Sequence, residues 1–499
     1  MPSNVLLLVL GDPGRSPRML YHSLSLLNLS HNVTILGYVG TPLIDGLLGV
    51  NDVRVEPVYL GWCRFKPFYY GVRLVSLLYQ FGKEIMKLEG DVVIVQNPPS
   101  FPTLFLGVLC KMRGWEVLID WHNLGYTMFP EERGWLRWGV RGLEREVGRR
   151  FGGFCVSEGM KRFLREEMDV NVEVLHDRPP SHFKPTGLIE KHELFKRLNL
   201  SSKFSTNLTS DQTLFTETIN GVIKERKGRP RLIMSSTSWT PDEDFSILLK
   251  ALEEIDGEIG REVLCIVTGK GPEKEYYVNK IKEMDLKEID IMTVWLEASD
   301  YPILVGSADL GVCLHTSTSG IDLPMKVVDM FGGGVPVAAV GFECLDELVV
   351  DGKNGRVFKD WNELKGILKE LLGKEGEGEL ERLRKGVGQG LRWEENWDNI
   401  ALPVINECLE KCKEKKAREE DSISWKEKAL MLALGVAITI YQNSYMWGAL
   451  GFMFWYALEE FLERSRAARA MLLLLMLLVA SAGCWMFWSL ERASYELRK

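Results

Sequence analysis

Residues 315–340 read H-T-S-T-S-G-I-D-L-P-M-K-V-V-D-M-F-G-G-G-V-P-V-A-A-V. The pattern predicts a polar loop (316–320), a helix of about a dozen residues, a glycine stop at 332–334 and a β-branched strand from Val335. A buried strand, S-A-D-L-G-V-C-L, leads into it. Leu323, Val327, Met330 and Phe331 fall on an apolar stripe, while Asp322, Lys326 and Asp329 follow at offsets of four and three. One helix face therefore carries acid, base and acid. Ser317, Thr318, Ser319 and Gly320 precede the first turn, where free backbone N–H groups and hydroxyls favour an anion, phosphate being the usual one. A nucleotide seated there leaves its ribose within reach of Asp329, with Lys326 near the charge. An ordinary amphipathic helix with a surface ion pair accounts for the same spacing.

A chain of 499 residues is too long for one core and predicts two domains with an appendage. A net charge of −8 offers no global field for nucleic acid, so anion recognition has to be local. Nine cysteines, without C-x-x-C spacing and mostly in apolar contexts, fit a reducing compartment. The sequons at Asn28, Asn32, Asn199 and Asn207 matter only in a lumen and read as chance. Residues 1–10 hold an apolar run too short for a signal peptide or a span, and read as a buried strand. Residues 470–490 are uncharged over a length that, as a helix, crosses the ~30 Å of a bilayer core. Residues 429–458 are also uncharged, interrupted by Gln442, Asn443 and Ser444, and flanked by belt-type Trp and Tyr; a membrane hairpin with 470–490 is expected.

The first half opens with strand, glycine loop (G-D-P-G-R-S-P-R, 11–18) and helix, the start of a doubly wound α/β domain whose ligands gather at the C-terminal ends of parallel strands. G-x-G-x-x-G is absent, so no nicotinamide cofactor is indicated. Further strands are expected at 33–39, 54–58, 91–96, 116–120 and 153–157. His122 lies just past a strand tip with Asp120 two residues before it; it reads as a general base oriented by a carboxylate, or as a structural histidine closing a loop. Residues 131–151, rich in Arg and Trp, predict an amphipathic helix of the domain or one lying on an anionic membrane surface.

The expected division is a first Rossmann-like domain at 1–185, a polar and partly mobile connection at 186–229, a second Rossmann-like domain at 230–410, a basic linker at 411–428 and membrane segments at 429–490. Basic residues next to the membrane keep the body cytosolic. Asp242-Glu243-Asp244 superficially matches a metal-holding triplet, but Thr240 as N-cap, Pro241 and Glu243 at the third position predict a capping box instead. No metal is expected there. Gly269-Lys270-Gly271-Pro272 puts a lysine at a strand tip, where it can approach a diphosphate.

The motifs G-D-P-G-R-S-P-R-M-x-Y-H, Q-N-P-P-S-x-P-T-L, I-D-W-H-N-x-G-Y, D-R-P, S-S-T-S-W-T-x-D-E-D-F, T-G-K-G-P, W-L-E-A-x-D-Y-P and H-T-S-T-S-G-x-D-L-P-M-K-V-V-D-M-F-G-x-G-x-P-V occur in this order over residues 4–405. Together they resemble the chitobiosyldiphosphodolichol β-mannosyltransferases, GT-B glycosyltransferases with two Rossmann-like domains facing a cleft. The resemblance implies transfer of mannose from GDP-mannose to GlcNAc2-diphosphodolichol, with inversion to a β-1,4 linkage, on the cytosolic face of the endoplasmic reticulum. With the capping-box reading of 240–243, no metal or other cofactor is expected, GDP-mannose being the donor substrate. Other dolichol-pathway glycosyltransferases are candidate partners.

In residue terms it implies His122 as base with Asp12 as the rival, and acceptor contacts from Gly11, Gly14, Arg15, Arg18, Asn97, Asn123 and Arg178. It implies donor contacts from Ser236, Thr237, Ser238, Lys270, Ser317, Thr318, Ser319, Gly320, Asp322, Lys326 and Asp329. Retaining relatives of the fold carry an Arg and a Lys after the first strand of the second domain, where this chain has Ser238 and Glu243. Cationic help then falls to Lys270, Lys326, Arg178 or Arg15. A GT-B enzyme with another lipid acceptor or sugar donor, and a non-catalytic scaffold of the same pathway, remain the alternatives.

Overall fold

The structure, a computed structural model, describes residues 2–44, 46–56, 66–205, 208–241, 243–317, 319–388 and 390–419. Seven strands form the first sheet: β1 (Asn4–Leu8), β2 (Asn32–Tyr38), β3 (Asn51–Val55), β4 (Val92–Asn97), β5 (Glu116–Trp121), β6 (Gly152–Cys155) and β7 (Glu173–Val174). Their order is β3-β2-β1-β4-β5-β6-β7, all parallel. Runs such as V-V-I-V in β4 are apolar on both faces because helices cover both sides of a parallel sheet.

A short antiparallel hairpin, β8 (Thr216–Ile219) and β9 (Val222–Glu225), precedes the second sheet. That sheet is built from β10 (Arg231–Ser236), β11 (Val263–Thr268), β12 (Ile289–Val294), β13 (Leu310–Cys313), β14 (Val337–Val340) and β15 (Gly355–Phe358). The order β12-β11-β10-β13-β14-β15 is again parallel and reverses beside the first strand, as in a doubly wound fold. In each lobe the tips of the two strands flanking that reversal open a crevice for ligand.

The connection between the lobes differs from the expected polar linker. It carries the helix Leu188–Leu198 and the hairpin, and it buries Phe195, Leu214 and Phe215; the Phe195 and Phe215 rings lie 4.4 Å apart. With Leu194 these make four buried apolar residues holding a segment whose surface is otherwise polar, which is why its periodicity is weak.

The expected end of the second domain is also corrected. The helix Trp393–Glu419 leaves the second lobe and packs on the first, burying Trp393, Trp397, Ala401, Ile405 and Leu409 against Val5, Leu7 and Met19. The four-residue spacing of that stripe fits one helix face. Residues 411–419, expected as linker, continue this helix. Among the described residues no helix is long and apolar enough to cross a membrane. The segments 429–458 and 470–490 lie outside the described residues.

Candidate active site

β5 ends in Asp120 and Trp121, and the chain then turns into the loop bearing His122 and Asn123. Asp120 is fully buried and takes three partners. Arg18 of the helix Pro17–Asn28 grips it with Nε at 2.8 Å and Nη2 at 2.8 Å, His122 Nε2 lies 2.8 Å away, and His22 Nε2 lies 3.3 Å away. Burial pushes the Asp120 carboxyl up, but Arg18 and His122 outweigh it and hold it well below the usual carboxylate range. With Nε2–H of His122 donating to this fixed anion, Nδ1 is left as the basic nitrogen. His22 is buried and accepts from Trp397 Nε1 at 2.9 Å through Nδ1; burial lowers its pKa, so it stays neutral.

His122 and Asn123 line a cavity of about 340 Å³ between the lobes, opposite His315, Asp322 and Lys326. The second lobe's side is a charge network built around Glu243. Its carboxylate accepts from Thr237 Oγ1 at 2.6 Å and Ser238 N at 2.6 Å, ion-pairs with Lys326, and lies 3.5 Å from His315 Nδ1. His315 Nε2 is 3.7 Å from Asp322. Burial pulls the His315 imidazole down, but Asp322 and Glu243 together raise its pKa to about 9, so it is a cation at neutral pH. Two cations, His315 and Lys326, thus stand at the cleft where an Arg and Lys were missing from the strand tip. Sequence reading overlooked His315; its signal was an imidazole placed between two acids that only the fold brings together.

The lobes are tied across this cleft. Asn123 Nδ2 donates to Asp322 Oδ1 at 3.2 Å, and Ser157 Oγ donates to the Ile321 carbonyl. Glu347 of the second lobe accepts from the backbone amides of Glu158 at 2.7 Å and Gly159 at 2.8 Å, at the start of the helix Glu158–Met168. Free N–H groups and the helix dipole favour a carboxylate at that position.

Several expected roles change. Arg18 is buried and bonded to Asp120, Asp177 and the Leu175 carbonyl, so it positions β5 rather than meeting an acceptor. Asn97 is also buried and donates to Glu144 at 2.9 Å. Asp12 is no free base: its carboxylate accepts from Thr41 N at 2.9 Å, Thr41 Oγ1 at 2.7 Å and Gly14 N at 3.1 Å, and these donors hold its pKa down against burial. Gly11 accepts from Tyr38 N, and a Cβ on Gly14 would fall 2.6 Å from the Thr41 carbonyl, so the glycine loop packs on its neighbour. Arg15 is exposed, with Nε 3.3 Å from Thr41 Oγ1. Arg178 lines a separate cavity of about 220 Å³, although its neighbour Asp177 borders both.

On the donor side the helix begins later than expected, at Met325, and runs to Gly332. Ser317 and Ser319 turn their hydroxyls onto Asp322, and Gly320 N donates to Ser317 Oγ at 2.8 Å. Thr318 lies outside the described residues. The expected capping box does not form, because the helix starts at Ser246 and Glu243 turns into the cleft. Ser236 Oγ meets Tyr301 Oη at 3.1 Å, Tyr301 in turn bonds Asp329 at 3.3 Å, and Lys270 Nζ sits 3.6 Å from the centre of the Trp295 ring.

Two parallel-sheet lobes with a carboxylate-oriented imidazole facing paired cations define a glycosyltransferase of the GT-B fold. Residues 218–386 match the family model "Glycosyl transferases group 1". The fold is similar to a glycosyltransferase from Rickettsia africae, with a TM-score of 0.57 and 14% identity over 82% of this chain and 99% of that one. The chitobiosyldiphosphodolichol beta-mannosyltransferase of Homo sapiens is 40% identical over 438 residues, covering 81% of this chain and 92% of its own. The UDP-glycosyltransferase TURAN of Arabidopsis thaliana is 39% identical over 455 residues, covering 80% and 97%. The chain belongs to the chitobiosyldiphosphodolichol beta-mannosyltransferase family.

Proposed function

We propose that the protein moves mannose from GDP-mannose to the 4-hydroxyl of GlcNAc2-diphosphodolichol with inversion, giving a β-1,4 linkage in N-glycan precursor synthesis. The observation that carries this reading is the placement of His122, oriented by Asp120, across one cavity from Lys326 and His315. His122 Nδ1 takes the proton as the acceptor oxygen bonds the anomeric carbon. The bond from that carbon to the β-phosphate oxygen breaks in the same step, its electron pair leaving with GDP, and the two cations stabilise the departing charge. One displacement inverts the centre and needs no covalent sugar intermediate. No metal or other cofactor enters this scheme, since Glu243 is already committed to Lys326 and Ser238.

The protein acts at the endoplasmic reticulum membrane, with its body in the cytosol and segments 429–490 as anchor. The seven described cysteines are unpaired, as a reducing compartment requires. The helix Gly134–Gly148 exposes Trp135 (66%) and Trp138 (81%) beside arginines, a surface suited to a lipid headgroup layer. Glu144 of that helix accepts from Ser100 Oγ, Gly125 N and Asn97, so the helix is bolted to the loops around the acceptor side of the cavity. Incubating the purified chain with radiolabelled GDP-mannose and a phytanyl analogue of the acceptor tests the reading. A mannosylated lipid cleaved by a β-mannosidase is expected; transfer only from another nucleotide sugar overturns it.

A further inference from the structure

A further cavity, about 350 Å³, opens on the donor lobe between the tips of β10 and β11 and the segment after β12. Lys326 borders both this cavity and the one holding His122. A nucleoside diphosphate that lies in this cavity with its leaving phosphate at Lys326 has Tyr301, Trp295 and Glu297 among its walls.

Two of these walls are not covered by packing. Trp295 leaves 57% of its surface exposed, with the Lys270 ammonium 3.6 Å from its ring centre. Glu297 is exposed and borders the cavity, and its carboxylate has no hydrogen-bond or ion-pair partner among the described residues. Its backbone is nonetheless fixed, because the Glu297 carbonyl accepts from Asp300 N at 3.0 Å and Tyr301 N at 3.3 Å.

We propose that Glu297 is the residue that selects guanine as the donor's base, with Trp295 on the same cavity and Lys270 over the Trp295 ring. This rests on the GDP-mannose reading above. Guanine alone among the common bases presents two adjacent donors, N1–H and N2–H, that a carboxylate accepts as a pair. Its neighbouring O6 is an acceptor suited to the ammonium. Uracil offers one N–H between two carbonyls, which repel a carboxylate. Adenine pairs one donor with a lone pair. The choice matters because a relative of nearly equal identity is named a UDP-glycosyltransferase.

Calorimetric titration of the full chain in detergent with GDP, IDP and UDP tests this. IDP keeps N1–H and O6 but lacks the 2-amino group. The intact protein should bind GDP best, IDP less and UDP least. Glu297→Ala should weaken GDP roughly 10- to 100-fold, to the level of UDP, and leave UDP unchanged. A Glu297→Ala protein that keeps its full preference for GDP overturns the assignment while the donor reading stands. A variant that loses all three nucleotides alike overturns it too, since the loss is then not of the base. Preference of the intact protein for UDP defeats the donor reading itself.

Discussion

Asn123 at the tip of β5 donates across the cleft to Asp322, 3.2 Å away, and Asp322 is the same carboxylate that helps hold His315 as a cation. Closure of the lobes and charge at the donor site therefore share one side chain. Asp322→Ala should lower kcat/KM by about 10- to 100-fold, the worth of a lost charged hydrogen bond, chiefly through a raised KM for donor. Asn123→Ala should cost less, because Ser157 and Glu347 still tie the lobes. Steady-state kinetics of both variants separate the two effects.

His315 gives the pH dependence a direction. Its folded pKa of about 9 lies above its ordinary 6.5, so its stabilising contribution is fully present below about 6.5 and is lost as pH rises through 9. Donor-nucleotide affinity should weaken over the upper part of that window. In His315→Gln the affinity should be lower at neutral pH and flat across the window; an unaltered profile would remove the imidazolium from the donor site.

Arg18 and Asp120 form a buried pair that must be broken whole or not at all. Arg18→Met strands a buried carboxylate and should destabilise the first lobe by about 3–5 kcal/mol, seen as a lower denaturation midpoint. Asp120→Asn leaves buried Arg18 with the Asp177 carboxylate alone and His122 without its anionic partner, so it should also lower the denaturation midpoint, while kcat of the folded enzyme should fall by about 10²–10⁴-fold. His122→Ala should match that loss of kcat while leaving GDP binding intact.

Asp329 has a raised pKa of about 8, burial being the main cause. A carboxyl that holds its proton more tightly folded than unfolded makes stability fall as pH rises from about 3.8 through 8. Asp329→Asn should flatten that fall and make the protein more heat-stable than the parent above pH 8. It should also bind nucleotide less tightly if Asp329 meets the ribose; calorimetry and thermal scans read both.

Chelation should leave transfer unaffected, for Glu243 spends its carboxylate on Lys326, Thr237 and Ser238. Residual activity in EDTA, compared with activity after added magnesium, measures this.

Much of this was legible in residues. Apolar runs such as 92–95 and 232–234 gave their strands because parallel sheets leave no polar face, and the His122 motif gave its place past a strand tip. What local pattern could not show was partnership across the chain. Arg18 is 102 positions from Asp120, and Glu243 is 83 from Lys326, so a loop arginine read as free and a helix-start glutamate read as a cap. Glu144 was hidden for the same reason, its four donors coming from separate loops. The apolar 429–490 segments lie beyond the described residues and stay an expectation from hydropathy.

The stripe Trp393–Leu409 settles against Val5, Leu7 and Met19, although nearly the whole second lobe lies between them in the chain. During synthesis the amino-terminal half must therefore wait, with a groove open to water or to a chaperone, until the ribosome has released residues past 409. An early stop anywhere between the lobes would yield a half-molecule with that groove permanently bare, a ready substrate for quality control rather than a working fragment.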